Sequence, residues 1–408
     1  MTSDPVDAMP EPRTARIVLV TPDGAAVGSL APVPVSTPWW QDIEPVVRAV
    51  RDHHGVEVTI LRLLETQHDR PHGGEVTYLA EIVRPVPAEP WGGTLDEQPL
   101  RLPYARIGGP AADLAWARQV LAGRGLRPAG PPTQIRSWNL SSLWRIPVEG
   151  PRVWLKAVPP FFAHEGRLLA RLAGGPVPQL LGHDGGRVLL AEIPGEDLYE
   201  ATPAQLLGMV TLLVGLQESW RGRGDELLAL GLPDWRGPAL TTAIADVVER
   251  TAEELSAEDR ATLAGFLAGL PRRFAAIGAC GLADTLVHGD FHPGNLRGDA
   301  QALTLLDWGD SGVGHPMLDQ PAFLTRIPRD TVGPVRAHWL QRWRAAVPGC
   351  DPDRAAALLA PVAAARQAVV YRRFLDGIEP AERNYHRVDP ADWLRRTAVL
   401  LRGARSGA

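Results

Sequence analysis

Residues 288–309 read HGDFHPGNLRGDAQALTLLDWG, and this stretch limits the chain more than any other. Gly289, Pro293 and Gly294 break helix and strand alike, so the segment has to turn. Inside the turn Asp290 and Asn295 stand five residues apart, and Asp307 follows the apolar run ALTLL. A loop aspartate can accept a proton from a hydroxyl, and an asparagine with a second aspartate offers hard oxygens to a divalent cation. Two blander readings compete: a polar turn without chemistry, and a metal pair made of His288 and His292. The pair lacks a third soft ligand. His292 reads as solvent-facing.

The chain has 408 residues, enough for two or three domains, with 45% hydrophobic and 22% charged residues. A net charge of −5 speaks against nucleic acid as partner, because phosphate recognition needs a basic face. Cys280 and Cys350 have no paired metal spacing. The acidic, proline-rich start MTSDPVDAMPEPRTAR lacks the order of a secretory signal. Apolar runs such as AAALLAPVAAA fall short of a membrane span. These features lead us to expect a cytoplasmic protein with no membrane partner; they leave the oligomeric state open.

Periodicity divides the chain. Residues 1–13 read as a flexible N-terminus. Residues 14–110 read as a small α+β domain: a strand in RIVLV, a helix within WWQDIEPVVRAVRDHHG closed by Gly55, then strands in VEVTILRLLE and EVTYLAEIV. Its last part, 84–110, is rich in Pro and Gly and reads as a connector or irregular cover. Residues 111–132 form a linker helix and a Pro-rich connector. From 133 to 193, QIRSWNLSSLWRIPV, RVWLKAVP and RVLLAEIPG read as strands with a helix in HEGRLLARLAG. Residues 194–408 are mainly helical, interrupted by two short apolar β runs in TLVHGD and ALTLLDWGD.

Upstream of the loop, Lys156 lies in the apolar strand RVWLKAV and Glu165 in the next helix. A lysine within such a strand calls for an anion nearby. Asp290 and Asn295 fit the spacing D-x-x-x-x-N, and Asp307-Trp308-Gly309 takes the place of a later D-F-G. With Lys156, Glu165 and the link Glu192-Ile193-Pro194-Gly195 in order, residues from about 133 to 400 resemble the aminoglycoside phosphotransferase family, a branch of the protein-kinase-like fold. The resemblance implies a bilobal α+β protein with a small antiparallel-sheet N-lobe and a mainly helical C-lobe, here with an extra N-terminal α+β domain. It implies ATP (or GTP) and Mg²⁺ as cofactors and a small-molecule hydroxyl as acceptor: an aminoglycoside or other antibiotic, a sugar or an amino alcohol. Asp290 would be the catalytic base or hydroxyl positioner, and Asn295 and Asp307 the metal ligands. Lys156 would meet the α- and β-phosphates with Glu165 orienting it. The backbone around Glu192 and Ile193 would meet the adenine, while His288 and Asp319 would brace the loop.

The sequence departs from the family in 137–146, where the nucleotide loop should lie and no glycine occurs. Ser141 and Ser142 either supply donors to phosphate there or form an ordinary turn. In FLDGIEPAER, Asp376, Glu379 and Glu382 either receive a cationic substrate or form a solvated helix end. Within 14–84, Arg48 to Val56 resembles the end of the Nudix box, but Ala49 and His53 replace two of its carboxylates, so a degenerate Nudix-like domain would be inactive. The rival to a kinase is a non-catalytic, nucleotide-binding regulatory protein of the same fold.

Overall fold

Val18 and Val20 point to one face of a strand and Ile17 and Leu19 to the other, and all four are fully buried. A strand apolar on both faces must be covered on both. In the computed structural model, which describes residues 11–68, 71–299 and 302–406, it is. The sheet contains β1 (Arg13–Val20), β2 (Ala26–Val35), β3 (Thr59–Thr66) and β4 (Gly74–Glu81), in the order β2-β1-β4-β3. β1 is parallel to β4, and the other pairs are antiparallel. Helix α1 (Glu44–His54) covers one face through Val46 and Val50. Trp91, Leu95 and Ile107 cover the other, so the Pro/Gly-rich stretch is a lid on the sheet.

Three expectations change here. Strand β2 has no counterpart in the sequence reading. It carries Pro32 and Pro34, and it forms because it is an edge strand, where a missing N–H is tolerated. Arg13, assigned to a flexible terminus, opens β1, fully buried, with its guanidinium on Tyr78 Oη at 2.8 Å and the Asp42 carbonyl at 3.0 Å. Residues 1–10 of that terminus lie outside the described residues. Helix α2 (Gly109–Gly123), read as a linker, sends Ala117 and Leu121 into the core of a second sheet.

That second sheet has the order β5-β6-β7-β9-β8 and consists of β5 (Thr133–Trp138), β6 (Ser141–Ile146), β7 (Val153–Ala157), β8 (Leu180–Asp184) and β9 (Arg187–Ala191). Its edge strand β5 meets β3, the edge of the first sheet. The Gln134 side chain bridges them, accepting from Ile60 N at 2.9 Å and donating to Ile60 O at 2.7 Å. One side-chain amide thereby satisfies both backbone groups of Ile60 on the β3 edge, while the β5 backbone pairs with residues 41–43.

The chain divides into two compact units. The first holds the described residues up to Phe161, with Leu181–Glu192 and Phe374–Arg387; the second holds Phe162–Leu180, Ile193–Arg373 and the residues from Val388 on. The second contains α3 (Glu165–Arg171), β10 (Glu196–Asp197), α4 (Pro203–Ser219), α5 (Gly224–Ala229), α6 (Gly237–Arg250) and α7 (Ala257–Gly278). β11 (Thr285–Val287), β12 (Leu296–Gly298), β13 (Leu303–Leu305) and β14 (Gly312–Gly314) follow, then α8 (Gln320–Leu324), α9 (Val332–Ala346) and α11 (Asp389–Ser406). Helix α10 (Pro352–Gly377) begins in the second unit and ends in the first. Thr202 and Gln205 form a capping box that starts α4. Among the described residues no helix is long and apolar enough to cross a membrane.

The return of residues 374–387 to the first unit overturns both readings of its acids. Glu379 and Glu382 are 4% exposed, so they are neither a solvated helix end nor an open cation receptor; only Asp376 is exposed. Glu379 pairs with Arg101 at 3.0 Å and lies 3.7 Å from Arg62. Glu382 accepts from Leu63 N at 2.9 Å, and its backbone carbonyl accepts from Asn139 Nδ2 at 2.9 Å. Tyr385 joins the core of the first sheet. Burial, aided by the charge of Glu379, pushes the Glu382 carboxyl up to about 8.

A carboxyl raised from an ordinary 4.5 to about 8 favours the folded state while protonated and loses that contribution as pH rises through this window. Stability of the wild type should fall by up to roughly 1 kcal/mol per pH unit across it. Glu382→Gln should flatten this slope and be the more stable protein above about pH 8. Urea unfolding at a series of pH values checks this, and equal slopes would refute it.

Candidate active site

The loop after β11 is shaped by the carboxylate of Asp319, which is fully buried. Its Oδ2 accepts from His288 N at 3.0 Å and from Gln217 Nε2 at 2.8 Å, and its Oδ1 accepts from Gly289 N at 2.7 Å. Burial pushes this carboxyl upward despite the donors around it. Gly289 has φ +89°, and a Cβ there would lie 2.1 Å from the Asp310 carbonyl, so only glycine fits. The fully buried Arg366 closes the turn from the other side, donating to the carbonyls of Gly289 at 3.2 Å and Asp310 at 3.1 Å.

His288 Nε2 lies 2.8 Å from the Leu306 carbonyl, an acceptor, so Nε2 carries the proton. Burial lowers its pKa and keeps the ring neutral. The Leu306 amide donates to the Asn295 carbonyl at 2.8 Å. These two bonds tie Leu306, and with it Asp307, to the loop that carries Asp290 and Asn295. The two β runs of the sequence reading are in fact four strands: β11 pairs with β14, and β12 pairs with β13 and β10.

Asn295 donates through Nδ2 to the Asp290 carbonyl at 2.8 Å and to Asp290 Oδ2 at 3.2 Å. The amide nitrogen is thus committed to Asp290, and the amide oxygen is the atom left for a ligand. Asp307 has φ +57°, the one left-handed non-glycine residue among those described. Such a backbone costs on the order of 1–3 kcal/mol and persists where the surroundings enforce it. Glu165, 2% exposed, helps to do so by accepting from Trp308 N at 3.2 Å. Trp308 is itself fully buried against His288, with ring centroids 4.7 Å apart.

Two partners of Asp290 escaped the sequence reading. Arg326 Nη1 lies 3.2 Å from Oδ1. His292, expected in solvent, is 16% exposed; its Nδ1 accepts from Gly294 N at 3.0 Å and its Nε2 lies 3.4 Å from Asp290 Oδ2. Burial disfavours the charge on Asp290, but His292 and Arg326 outweigh it and hold the carboxyl well below the ordinary range. No local pattern flags Arg326, Arg366 or Gln217, since each reaches the loop from a distant helix or helix end.

The remaining candidates lie elsewhere. Ser141, Ser142, Lys156 and Glu192 belong to the first unit. Lys156 is half-buried in mid-strand, between Leu143 and Val188. The β5–β6 hairpin turns at Asn139 and Leu140. Asn139 is buried there, and its Oδ1 lies 3.1 Å from His386 Nε2. Ser141 Oγ accepts from Trp138 Nε1 and Ser142 Oγ from Trp144 Nε1, both at 3.1 Å. Ser142 is 1% exposed and packs within the sheet, which leaves Ser141 as the accessible serine of the pair. Glu192 Oε2 accepts from Trp154 Nε1 at 2.7 Å. In the second unit, the Ile193 carbonyl accepts from Arg297 Nε at 2.9 Å. Among the described residues no group of three or more His, Cys, Asp or Glu side chains is arranged to hold a metal.

Removing the Arg326 charge should let the Asp290 carboxyl rise towards its usual range. Carbon-detected NMR titration of Arg326→Ala should show the Asp290 midpoint move upward, with the exposed Arg329→Ala as the unchanged control. An unmoved midpoint would mean that Arg326 has no hold on it.

The chain has recognisable relatives. No curated protein matches it. The solved choline kinase LicA from Streptococcus pneumoniae aligns at 14% identity over 72% of this chain and 99% of that one, with a TM-score of 0.50. The apoenzyme of macrolide 2'-phosphotransferase MphH from Brachybacterium faecium aligns at 18% identity over 69% and 96%, with a TM-score of 0.48. A choline/ethanolamine kinase family protein from Mesorhizobium loti aligns at 14% over 71% and 99%, with a TM-score of 0.49. At such identities, the likeness to LicA speaks for a shared kinase-like fold alone. A family model described as phosphotransferase enzyme family (APH) matches residues 144–359, more than half of the sequence and all of the loop described above. The chain belongs to the phosphotransferase enzyme family.

Proposed function

We propose that the chain transfers the γ-phosphoryl group of ATP to a hydroxyl of a small molecule, with Mg²⁺, and that Asp290 takes up the hydroxyl proton. The observation that carries this reading is the bond from Asn295 Nδ2 to Asp290, one backbone hydrogen bond away from the residue next to left-handed Asp307. In this reading the acid works together with the Asn295 amide oxygen and the Asp307 carboxylate.

The donor set fits Mg²⁺, which takes hard oxygens. Asn295 would offer Oδ1, its nitrogen being engaged, and Asp307 its carboxylate. Bound Mg·ATP supplies the transferable phosphoryl group and positive charge against the negative charge developing in transfer. Lys156 would pair with the α- and β-phosphates, Glu165 would steady the Asp307-Trp308 turn, and Ser141 would add a donor. The backbone at Glu192 and Ile193 would border the base.

Asp290 is ionised at neutral pH because His292 and Arg326 stabilise its charge. A carboxylate of such low basicity is a weak base. Its main task is to accept the hydrogen bond of the incoming hydroxyl, aim its oxygen, and take the proton late. Aminoglycosides, sugars and amino alcohols are the acceptor classes to compare, ATP and GTP the donors, and the cytoplasm the compartment that provides them.

Purified protein with Mg·ATP and a panel of these acceptors should consume ATP with one class. Asp290→Asn should lower kcat by about 10²–10⁴-fold while leaving nucleotide affinity largely intact. Asn295→Ala and Asp307→Ala should instead lose the magnesium-dependent part of thermal stabilisation by nucleotide. An Asp290→Asn protein as fast as wild type would end the base assignment. Absence of any Mg·nucleotide stabilisation in wild type would end the kinase reading.

A further inference from the structure

The sequence holds two cysteines, Cys280 and Cys350, and the fold brings them together within the second unit. Cys280 follows the end of α7, and Cys350 lies in the turn between α9 and α10. The amide of Asp351 donates to the Cys280 carbonyl at 2.8 Å. With ordinary bond lengths and angles, this bond keeps the two Cα atoms within about 7 Å of each other, near the roughly 4.4–6.8 Å that a disulfide spans. Gly281 gives the same placement: a Cβ there would lie 3.5 Å from Cys350 Cα and 3.8 Å from its Cβ.

Neither thiol is engaged in a strong bond. Cys280 Sγ donates to the Ala276 carbonyl at 3.3 Å, and Cys350 Sγ to the Trp343 carbonyl at 3.6 Å. A thiol is a weak donor, so little is lost when these contacts are given up. Cys280 is 2% exposed and Cys350 is half-buried, so a reagent reaches Cys350 first. Burial pushes both thiols above their ordinary range, and at Cys350 the Asp351 charge and the Cys280 sulfur add to it. A first reagent therefore reacts slowly. Once Cys350 has reacted, Cys280 stands beside it, and the second step is intramolecular.

We propose that Cys280 and Cys350 are a modification site, which a low-molecular-weight disulfide converts into an intramolecular disulfide and low-molecular-weight thiols restore. The Cys350 thiolate attacks one sulfur of the oxidant, a new S–S bond forms, and the oxidant's other sulfur leaves as a thiolate. Cys280, having lost its proton, attacks Cys350 Sγ and expels the first sulfur. The two departing thiolates take up the two protons that the cysteines gave up. Two protein thiols are oxidised to one disulfide, and one small disulfide is reduced to two thiols. Residues 281–349, enclosed by the bridge, include Asp290, Asn295, Asp307, Asp319 and Arg326. The oxidised chain thus carries the loop and its anchor inside one covalent ring, whether or not the phosphotransfer reading holds.

Oxidised glutathione serves as probe on the native full chain. After blocking of free thiols with iodoacetamide, tryptic mass spectrometry should find residues 274–297 linked to residues 345–354, lighter by two hydrogens than the separate peptides. The protein should remain a single chain on a non-reducing gel. Its Tm should rise by about 5 °C, because a cross-link over so long a loop restricts the unfolded chain. Dithiothreitol should reverse both changes. Cys280→Ser, checked for folding by circular dichroism, should instead keep glutathione on Cys350 and show no such rise. The proposal is overturned if the native wild type gives glutathione adducts without the linked peptide, if the link joins two chains, if both thiols stay unreacted, or if the linked protein melts where the reduced one does.

Discussion

A single carboxylate determines the shape of the loop that carries Asp290 and Asn295. Asp319 takes the backbone N–H groups of two consecutive residues, His288 and Gly289, and the amide of Gln217. Consecutive amides can face one acceptor only if the backbone turns sharply between them, and Gly289 with φ +89° provides that turn. The carbonyls on the outer side of the bend then need donors of their own, and the buried guanidinium of Arg366 meets two of them. Loss of Asp319 would strand buried N–H groups, while loss of Arg366 would strand buried carbonyls. The loop is rigid because both halves of its backbone are satisfied by side chains fixed elsewhere.

This arrangement explains what the sequence could disclose. Asp290, Asn295 and Asp307 are legible because they lie within one short stretch, where spacing and turn residues carry the information. Their partners are not. Arg366 is 77 residues from Gly289, Arg326 is 36 from Asp290, and Gln217 is 102 from Asp319, the one partner that the sequence reading did name as a brace. Each sits in an ordinary helical or loop context, and nothing local separates a buried arginine from a solvated one. Strand β2 stayed hidden for another reason: its prolines argue against a strand until its place at a sheet edge is known.

The segment 374–387 shows how a charged sequence can mislead. Two glutamates beside a glycine and a proline look like a solvated helix end. They are buried because Arg62 and Arg101, on the first unit's own chain stretch, stand ready for Glu379, and because Tyr385 must reach an apolar core shared with Trp40 and Tyr78. The same segment binds Asn139 in the β5–β6 turn. The four-stranded sheet, the five-stranded sheet and residues 374–387 therefore share buried contacts, and the N-terminal strands do not form a separately packed appendage. Gln134 states the point in one side chain: its amide occupies the edge of β3 that a free-standing sheet would leave open.

Asp307 shows the other side of the same logic. Its left-handed backbone is unfavourable in isolation, and a glycine or asparagine would adopt it more readily. The neighbours on either side remove the freedom to escape. Leu306 is held through its N–H by Asn295 and through its carbonyl by His288, and Trp308 is held through its N–H by Glu165 and through its indole by Leu305. With both flanking peptides fixed, the direction in which the Asp307 Cβ leaves the backbone is set before any ligand arrives. Under the proposed function the carboxylate has a task there that glycine could not perform. That requirement connects the strain to the proposed metal site, and it places the cost of orienting the carboxylate in folding rather than in binding.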